Sequence, residues 1–341
     1  MADTKPLLRV ENLKITFPVK RGGFFATKGF LNAVDDVSFT VPRGQTLAIV
    51  GESGSGKTTA ALAVAQLVAT ARENQSGTVM LGDTDLMALE GTALREARTR
   101  LQFIFQDPYS SLNPRLRAEA VVREPLDSLD YGPAPERQSI VDDLFRSVGL
   151  RPEQQRLFPH QFSGGQRQRL GIARALATQP ELVICDEPVS ALDVAVQAQI
   201  LNLLRRLQEE LGLTYLFISH DLGVVQHMSD SIAVMYMGKI VEHADRLSLF
   251  NNPLHPYTKA LLSAVPSVDK SRRSAMKRVL IPGDPPDPVN PPPGCRFANR
   301  CPVATDICHQ KEPPLTAHND GTTSGHKVAC HLVDEAQVSP I

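Results

Sequence analysis

Nine consecutive residues, Gly51-Glu52-Ser53-Gly54-Ser55-Gly56-Lys57-Thr58-Thr59, have the types and spacing to hold a polyphosphate. They fit G-x-x-x-x-G-K-[ST], in which glycines let backbone N–H groups turn toward the phosphates and a following helix adds its positive end. Lys57 is suited to the β- and γ-phosphates, and the Thr58 hydroxyl to Mg²⁺. A glycine-rich turn can match this pattern by chance. Here, however, the apolar run Leu47 to Val50 enters it and an Ala-rich helical stretch, Thr58 to Val68, leaves it.

A second group of candidates follows. Leu182-Val183-Ile184-Cys185 ends in Asp186 and Glu187, so a buried strand would deliver two acids to the carboxyl edge of a sheet. Asp186 suits Mg²⁺; Glu187, pointing elsewhere, suits orienting and deprotonating a water. Taken alone, an Asp-Glu pair before Pro188 is an ordinary solvated strand end. Phe162-Ser163-Gly164-Gly165-Gln166 precedes a helical stretch, Arg167 to Ala177. Ser163 is a good N-cap and the glycines free backbone N–H groups for an anion. One active site has no use for this second phosphate-seeking helix start, which makes sense if it serves a nucleotide held by another subunit. Gln106 and His220 each end a strand pattern. Such residues are commonly plain surface polar groups, but a neutral imidazole at position 220 can hydrogen-bond a γ-phosphate.

These residues need a scaffold that brings strand ends together. Continuous apolar runs at Leu47 to Val50, Leu101 to Phe105, Leu182 to Asp186, Thr214 to Ser219 and Ile232 to Met237 read as strands buried on both faces. Val37 to Val41 alternates cleanly, and Val194 to Leu211 is a long helical pattern stopped by Gly212. The alternation of strands and helices implies an α/β fold with a parallel sheet. Residues 107–162 carry helical patterns only and read as a helical insertion. From about Val265 a basic cluster (Lys270, Arg272, Arg273, Lys277, Arg278) and the run PGDPPDPVNPPPG read as a solvated linker and extended spacer. The 341 residues thus divide into a large domain, 1–265, and an extension, 266–341. The charge balance, 36 Lys+Arg against 37 Asp+Glu, leaves no polycationic footprint, so nucleic acid is not an expected partner. No apolar stretch approaches the length of a membrane span or a signal peptide, so a soluble chain on the cytoplasmic side is expected.

The order of the phosphate loop, Gln106, FSGGQ, LVICDE, Ser190-Ala191-Leu192-Asp193 and His220 resembles the nucleotide-binding subunit of an ATP-binding cassette (ABC) transporter, over residues 7 to 265. The resemblance implies a P-loop NTPase with a RecA-like core, an antiparallel β subdomain and the helical insertion. It implies further that Ser163 to Gln166 clamp the ATP of a facing subunit, that Asp193 lies on the dimer seam, and that Gln106 senses the γ-phosphate and its Mg²⁺. His220 would hold the γ-phosphate and water, and Phe17 would stack on adenine unless it is simply a core aromatic. Phe162 replaces the family's usual leucine. FPVKRGG (17–23), FQDPYSSLNPR (105–115), NPLHPYTKALLSAVP (252–266) and GDPPDP (283–288) are similar to the ATPases of bacterial dipeptide and oligopeptide importers, a group shared with nickel importers. That likeness implies a second, related ATPase subunit, two membrane permease subunits, an external binding protein and a peripheral place at the inner membrane. A DNA- or ribosome-acting ABC ATPase would need coiled-coil inserts or a second cassette, neither of which is evident. A metal-responsive regulatory module is the third class.

Cys295, Cys301, Cys308 and Cys330 are spaced C-x5-C-x6-C-x21-C. The spacing lacks the tight pairs of common zinc sites and the short run of bacterial ferredoxins, and leaves zinc, an iron–sulfur cluster and incidental thiols open. The peptide-importer likeness implies a [4Fe-4S] cluster, with His309, His326 or His331 as substitute ligands. Such a cluster would staple a proline-rich tail that has little core of its own. Cys185 reads as a buried apolar spacer.

Overall fold

The computed structural model describes residues 5–21, 27–264, 283, 286–318 and 325–333. The basic cluster and part of the proline run lie outside them. Two sheets organise the chain. Strands β1 (Leu8–Arg21), β2 (Thr27–Val41), β4 (Gln75–Leu81) and β5 (Thr84–Asp85) form an antiparallel sheet in the order β2-β1-β4-β5. In β2, Val37, Phe39 and Val41 are buried and alternate with Ser38 and Thr40, the period of a sheet with one face in the core.

The larger sheet holds β3 (Thr46–Val50), β6 (Leu101–Ile104), β7 (Leu182–Asp186), β8 (Thr214–Ser219), β9 (Ser231–Tyr236) and β10 (Lys239–Asp245). The short β11 (Thr316–Ala317) and β12 (Lys327–Val328) complete it, in the order β11-β12-β10-β9-β3-β8-β7-β6. From β9 to β6 the pairing is parallel. The continuous apolar runs are explained by what covers each face. Leu182, Ile184, Leu216 and Ile218 pack with α1 (Lys57–Val64), with Ala97 of α2 (Gly91–Ala97) and with the antiparallel sheet. Val183, Cys185, Tyr215 and Phe217 pack against the helical layer on the opposite face. Cys185 is fully buried there, as its apolar neighbours required. That layer contains α3 (Ala118–Ser128), α4 (Arg137–Ser147), α5 (Gly164–Leu176) and α6 (Val194–Leu211), and no strand interrupts 107–162. Asp193 caps α6 by accepting from the Val196 N–H, and Gly212 ends it in the left-handed region, φ 66°. Among the described residues no helix is long and apolar enough to cross a membrane.

The C-terminal region differs from the expected poorly cored tail. β12 pairs antiparallel with β10, and Phe297 is buried among Tyr236 and Tyr257 with ring centroids 5.3 and 5.4 Å away. His326 is buried against Glu242, Nε2 to Oε1 2.8 Å, while Glu242 also accepts from the N–H groups of Leu254 and His255. The extension is therefore held by a sheet edge, an aromatic cluster and a satisfied buried carboxylate.

Candidate functional site

The phosphate loop spans the turn from β3 to α1. Gly51 and Gly56 have φ of 154° and 104°, and a Cβ at either would lie 2.1 and 2.2 Å from the carbonyl oxygens of Met235 and Ala33. Only glycine lets the loop bend this close to the neighbouring strands. Lys57 is 5% exposed and its Nζ donates to the carbonyls of Gly51 and Glu52 at 2.8 and 2.9 Å. Burial lowers its pKa, opposed by the carboxylates of Glu187, Asp186 and Glu52. Thr58 Oγ1 donates to Asp186 Oδ1 at 3.1 Å, forming an oxygen pair on which a magnesium ion can sit. Burial raises the Asp186 pKa; the Thr58 hydrogen bond works the other way, Glu187 adds to the rise and Lys57 counters it.

Glu187 adopts φ 45°, uncommon for a residue with a side chain and fixed here by its N–H bonding Ile218 O at 2.9 Å. Its Oε2 accepts from Gln106 Nε2 at 3.0 Å and its Oε1 lies 2.9 Å from His220 Nδ1. These three residues follow β6, β7 and β8, which are adjacent and parallel, so their carboxyl ends converge. A cavity of about 910 Å³ opens beside them, lined by Phe17, the loop residues Gly51, Glu52, Ser53, Gly54, Gly56, Lys57, Thr58 and Thr59, and by Gln106, Glu187 and His220. Its size suits a nucleotide. Ser55 does not line it: its N–H bonds back to Glu52 O at 3.2 Å and its hydroxyl is turned into the protein. Leu31, Leu261 and Pro288 border the cavity along with Phe17 and were not legible as site residues, because nothing local in their segments marks a ligand.

The second helix start stands apart. Ser163 Oγ accepts from Gln166 N and Gln166 Oε1 from Ser163 N, 3.3 and 3.0 Å, a reciprocal cap on α5. A Cβ on Gly165 would lie 2.5 Å from Val196 Cγ1, so this glycine lets α5 approach α6. None of residues 163–166 and not Asp193 lines the cavity around Lys57. Ser163, Gly164 and Asp193 are exposed, and so is Val194, at 82%.

Cys295, Cys301, Cys308 and Cys330 all line one small cavity together with Phe297 and His331. Burial pushes the Cys295 thiol up to about 11, with the neighbouring thiols adding to the rise, and also raises Cys301 and Cys330. Among the described residues no three His, Cys, Asp or Glu side chains converge as a single metal ion requires. Of the three histidines considered as substitutes, only His331 borders the cavity; His326 is committed to Glu242 and His309 is exposed. Glu52 has partners that nothing in its own segment announces. Its N–H donates to Tyr257 Oη at 2.8 Å, and its carboxylate accepts from Arg300 Nη1 at 2.9 Å.

Comparison with known proteins agrees with this geometry. Residues 34–190 match the ABC transporter family, and residues 241–308 match the oligopeptide/dipeptide transporter C-terminal region. The probable peptide ABC transporter ATP-binding protein y4tS of Sinorhizobium fredii is 49% identical, covering 98% of this chain and 93% of its own. The oligopeptide transport ATP-binding proteins AppF of Bacillus subtilis and OppF of Salmonella typhimurium are each 46% identical over 97% of this chain, and over 98% and 97% of their own lengths. A solved dimeric ATP-binding cassette, MJ0796 bound to ADP and phosphate in a post-hydrolysis state, superposes with a TM-score of 0.60 at 28% identity. It covers 70% of this chain and 98% of that one. A phosphate loop, a carboxylate gripped between two strand ends and these full-length relatives lead to one assignment: the chain belongs to the ABC transporter ATPases, in the branch of oligopeptide and dipeptide transport subunits.

Proposed function

We propose that this chain hydrolyses ATP to power peptide import, and that Glu187 is the group that deprotonates the attacking water. One observation carries this reading: the Glu187 carboxylate is held from both sides by Gln106 and His220 at the mouth of the cavity that contains Lys57. Backbone N–H groups of the phosphate loop other than those of Glu52 and Ser55, with the Lys57 ammonium, bind the phosphates, while Phe17 offers a face for the adenine. Magnesium, when bound at Thr58 and Asp186, neutralises charge on the β- and γ-phosphates. Gln106 and His220 fix the carboxylate toward the γ-phosphate, and general-base help of this sort is worth about two to four decades in rate.

The exposed Ser163–Gln166 helix start supports a head-to-tail pair in which each chain completes the other's site. A related second ATPase as the partner, two permease subunits and an external binding protein fit the names that the relatives carry, as does a peripheral place at the membrane. Four thiols in one cavity form a donor set suited to a cation. Among the described residues no three of them converge as a single metal ion requires, so the [4Fe-4S] reading, with zinc as its alternative, rests on the shared cavity and on the likeness of this tail to that of the peptide importers. Cys295, Cys301, Cys308 and Cys330 would hold it as a structural part, with no step of hydrolysis passing through it.

Glu187→Gln tests the central claim. Nucleotide binding should persist while kcat falls at least about a hundredfold; a rate within a few fold of the parent removes Glu187 from this role.

A further inference from the structure

The phosphate loop carries a carboxylate of its own, on Glu52, in a place built to receive a polyanion. Left bare, that charge would oppose the ligand, and in a partly dry site the opposition is stronger than in water. The structure compensates it from 248 residues away. Arg300, 7% exposed, spans both carboxylate oxygens, Nη1 to Oε2 at 2.9 Å and Nη2 to Oε1 at 3.4 Å, and Nη1 also donates to Tyr236 Oη at 3.2 Å. Glu52 is thereby fixed at each of its polar groups: N–H to Tyr257, C=O to Lys57, carboxylate to Arg300.

Arg300 is itself rigidly placed. It ends the short 3-10 turn Ala298–Arg300, which begins after Phe297 in the aromatic cluster. The turn is closed by Ala298 N to Cys295 O at 3.0 Å and Cys301 N to Ala298 O at 3.3 Å. The segment 295–301 therefore starts and finishes on a cysteine of the four-thiol cavity and presents its arginine to the phosphate loop.

We propose that Arg300 is a positioning residue of the ATP site: supplied by the C-terminal extension, it neutralises and orients Glu52 so that the phosphate loop accepts nucleotide. This rests on the assignment of residues 51–59 as the ATP-binding loop. It gives the extension a direct part in nucleotide affinity, and makes the fold around the cysteines one side chain distant from the phosphates.

The test is Mg-ADP binding by the full chain, with KM and kcat for ATP. Arg300→Ala should weaken Mg-ADP about tenfold, the order expected for a lost charge-assisted pair, with the loss falling on KM and not on kcat. Adding Glu52→Gln to Arg300→Ala should restore most of the affinity, because the uncompensated charge is gone. If the arginine only fastened the extension to the core, the second change would bring no recovery. Should Arg300→Ala not fold, Arg300→Met keeps the stem beside Tyr236 and should show the same weakening and the same rescue. Affinity within about twofold of the parent in the single variant, or no rescue in the double, overturns the proposal. Lys57→Ala separates the premises: if it too binds Mg-ADP normally, the loop assignment fails, whereas its loss of binding beside a normal Arg300→Ala leaves the loop standing and removes Arg300 alone.

Discussion

The chain contains two helix starts built for phosphate, and they differ in what surrounds them. At α1 the glycines are pressed against β2 and β9, the lysine is buried, and acids from neighbouring strands stand within reach. At α5 the cap is complete, but Gly164 is exposed, Gly165 faces Val196 of α6, and neither lines a cavity with a lysine as the first loop does. Both have the backbone geometry that attracts an anion; only the first has charge and enclosure. The difference teaches that a phosphate-seeking helix end is a component, and that enclosure by the sheet edge turns the first into a binding site. On the head-to-tail reading proposed above, the second finds its enclosure in another subunit.

Acid breaks the comparison most strongly. The first site leans on His255, fully buried with its pKa pushed down to about 4 by desolvation, an effect that Glu242 opposes and Lys259 reinforces. His255 Nδ1 accepts from Tyr257 N, and Tyr257 in turn receives the Glu52 N–H. His243, half-buried and lowered to about 4 by desolvation with Lys327 and His326 adding to the fall, behaves alike. At neutral pH both rings are neutral in the folded and unfolded chain. Below pH 6.5 the unfolded chain takes up protons that the folded chain refuses until about pH 4, so stability is intact above 6.5 and is lost across that window. Each histidine should cost about 3 kcal/mol. Urea unfolding at pH 7 and at pH 4.5 checks this, and His255→Gln should remove about half of the slope. The 163–166 start contains no titratable side chain and contributes nothing to that slope.

Gly165→Ala sharpens the comparison from the other side. Its Cβ meets Val196 Cγ1 at 2.5 Å, so α5 must move against α6. We expect steady-state ATP turnover of the assembled subunits to fall about tenfold, the scale of a 1–3 kcal/mol overpacking strain, while Mg-ADP binding by the single chain stays. Equal loss of both would join the two sites into one. The smallest effect belongs to Ser163→Ala, which removes one cap acceptor on α5. It should lower stability by about 1 kcal/mol with no change in Mg-ADP affinity of the single chain, read by denaturation and by titration.

Legibility followed the range of the interactions. β7 and β8 were readable because both faces are covered and the run at the centre of each strand is apolar. β4 was missed: only Val79 and Leu81 in it are buried, and Gly77 interrupts the pattern. β10 was missed because Glu242, at its centre, reads as a surface charge; the groups that satisfy it come from residues 254, 255 and 326. The same distance hid the extension's core. Phe297 and Arg300 stand between a proline run that reads as a spacer and cysteines that read as candidate ligands, and their partners are Tyr236, Tyr257 and Glu52.

The local chemistry is written in the order of residues: a glycine-rich turn before Lys57, a serine cap before two glycines, two acids after an apolar run. Each works through backbone geometry within one turn of its own residues, so residue type and spacing specify it. The meeting of Gln106 and His220 on Glu187 was decided only by the tertiary structure. It depends on β6, β7 and β8 lying side by side and parallel, an order set by how both sheet faces are covered. The pairing of Glu52 with Arg300 was decided there as well, since a compensating charge can come from any part of the chain that folding brings within reach.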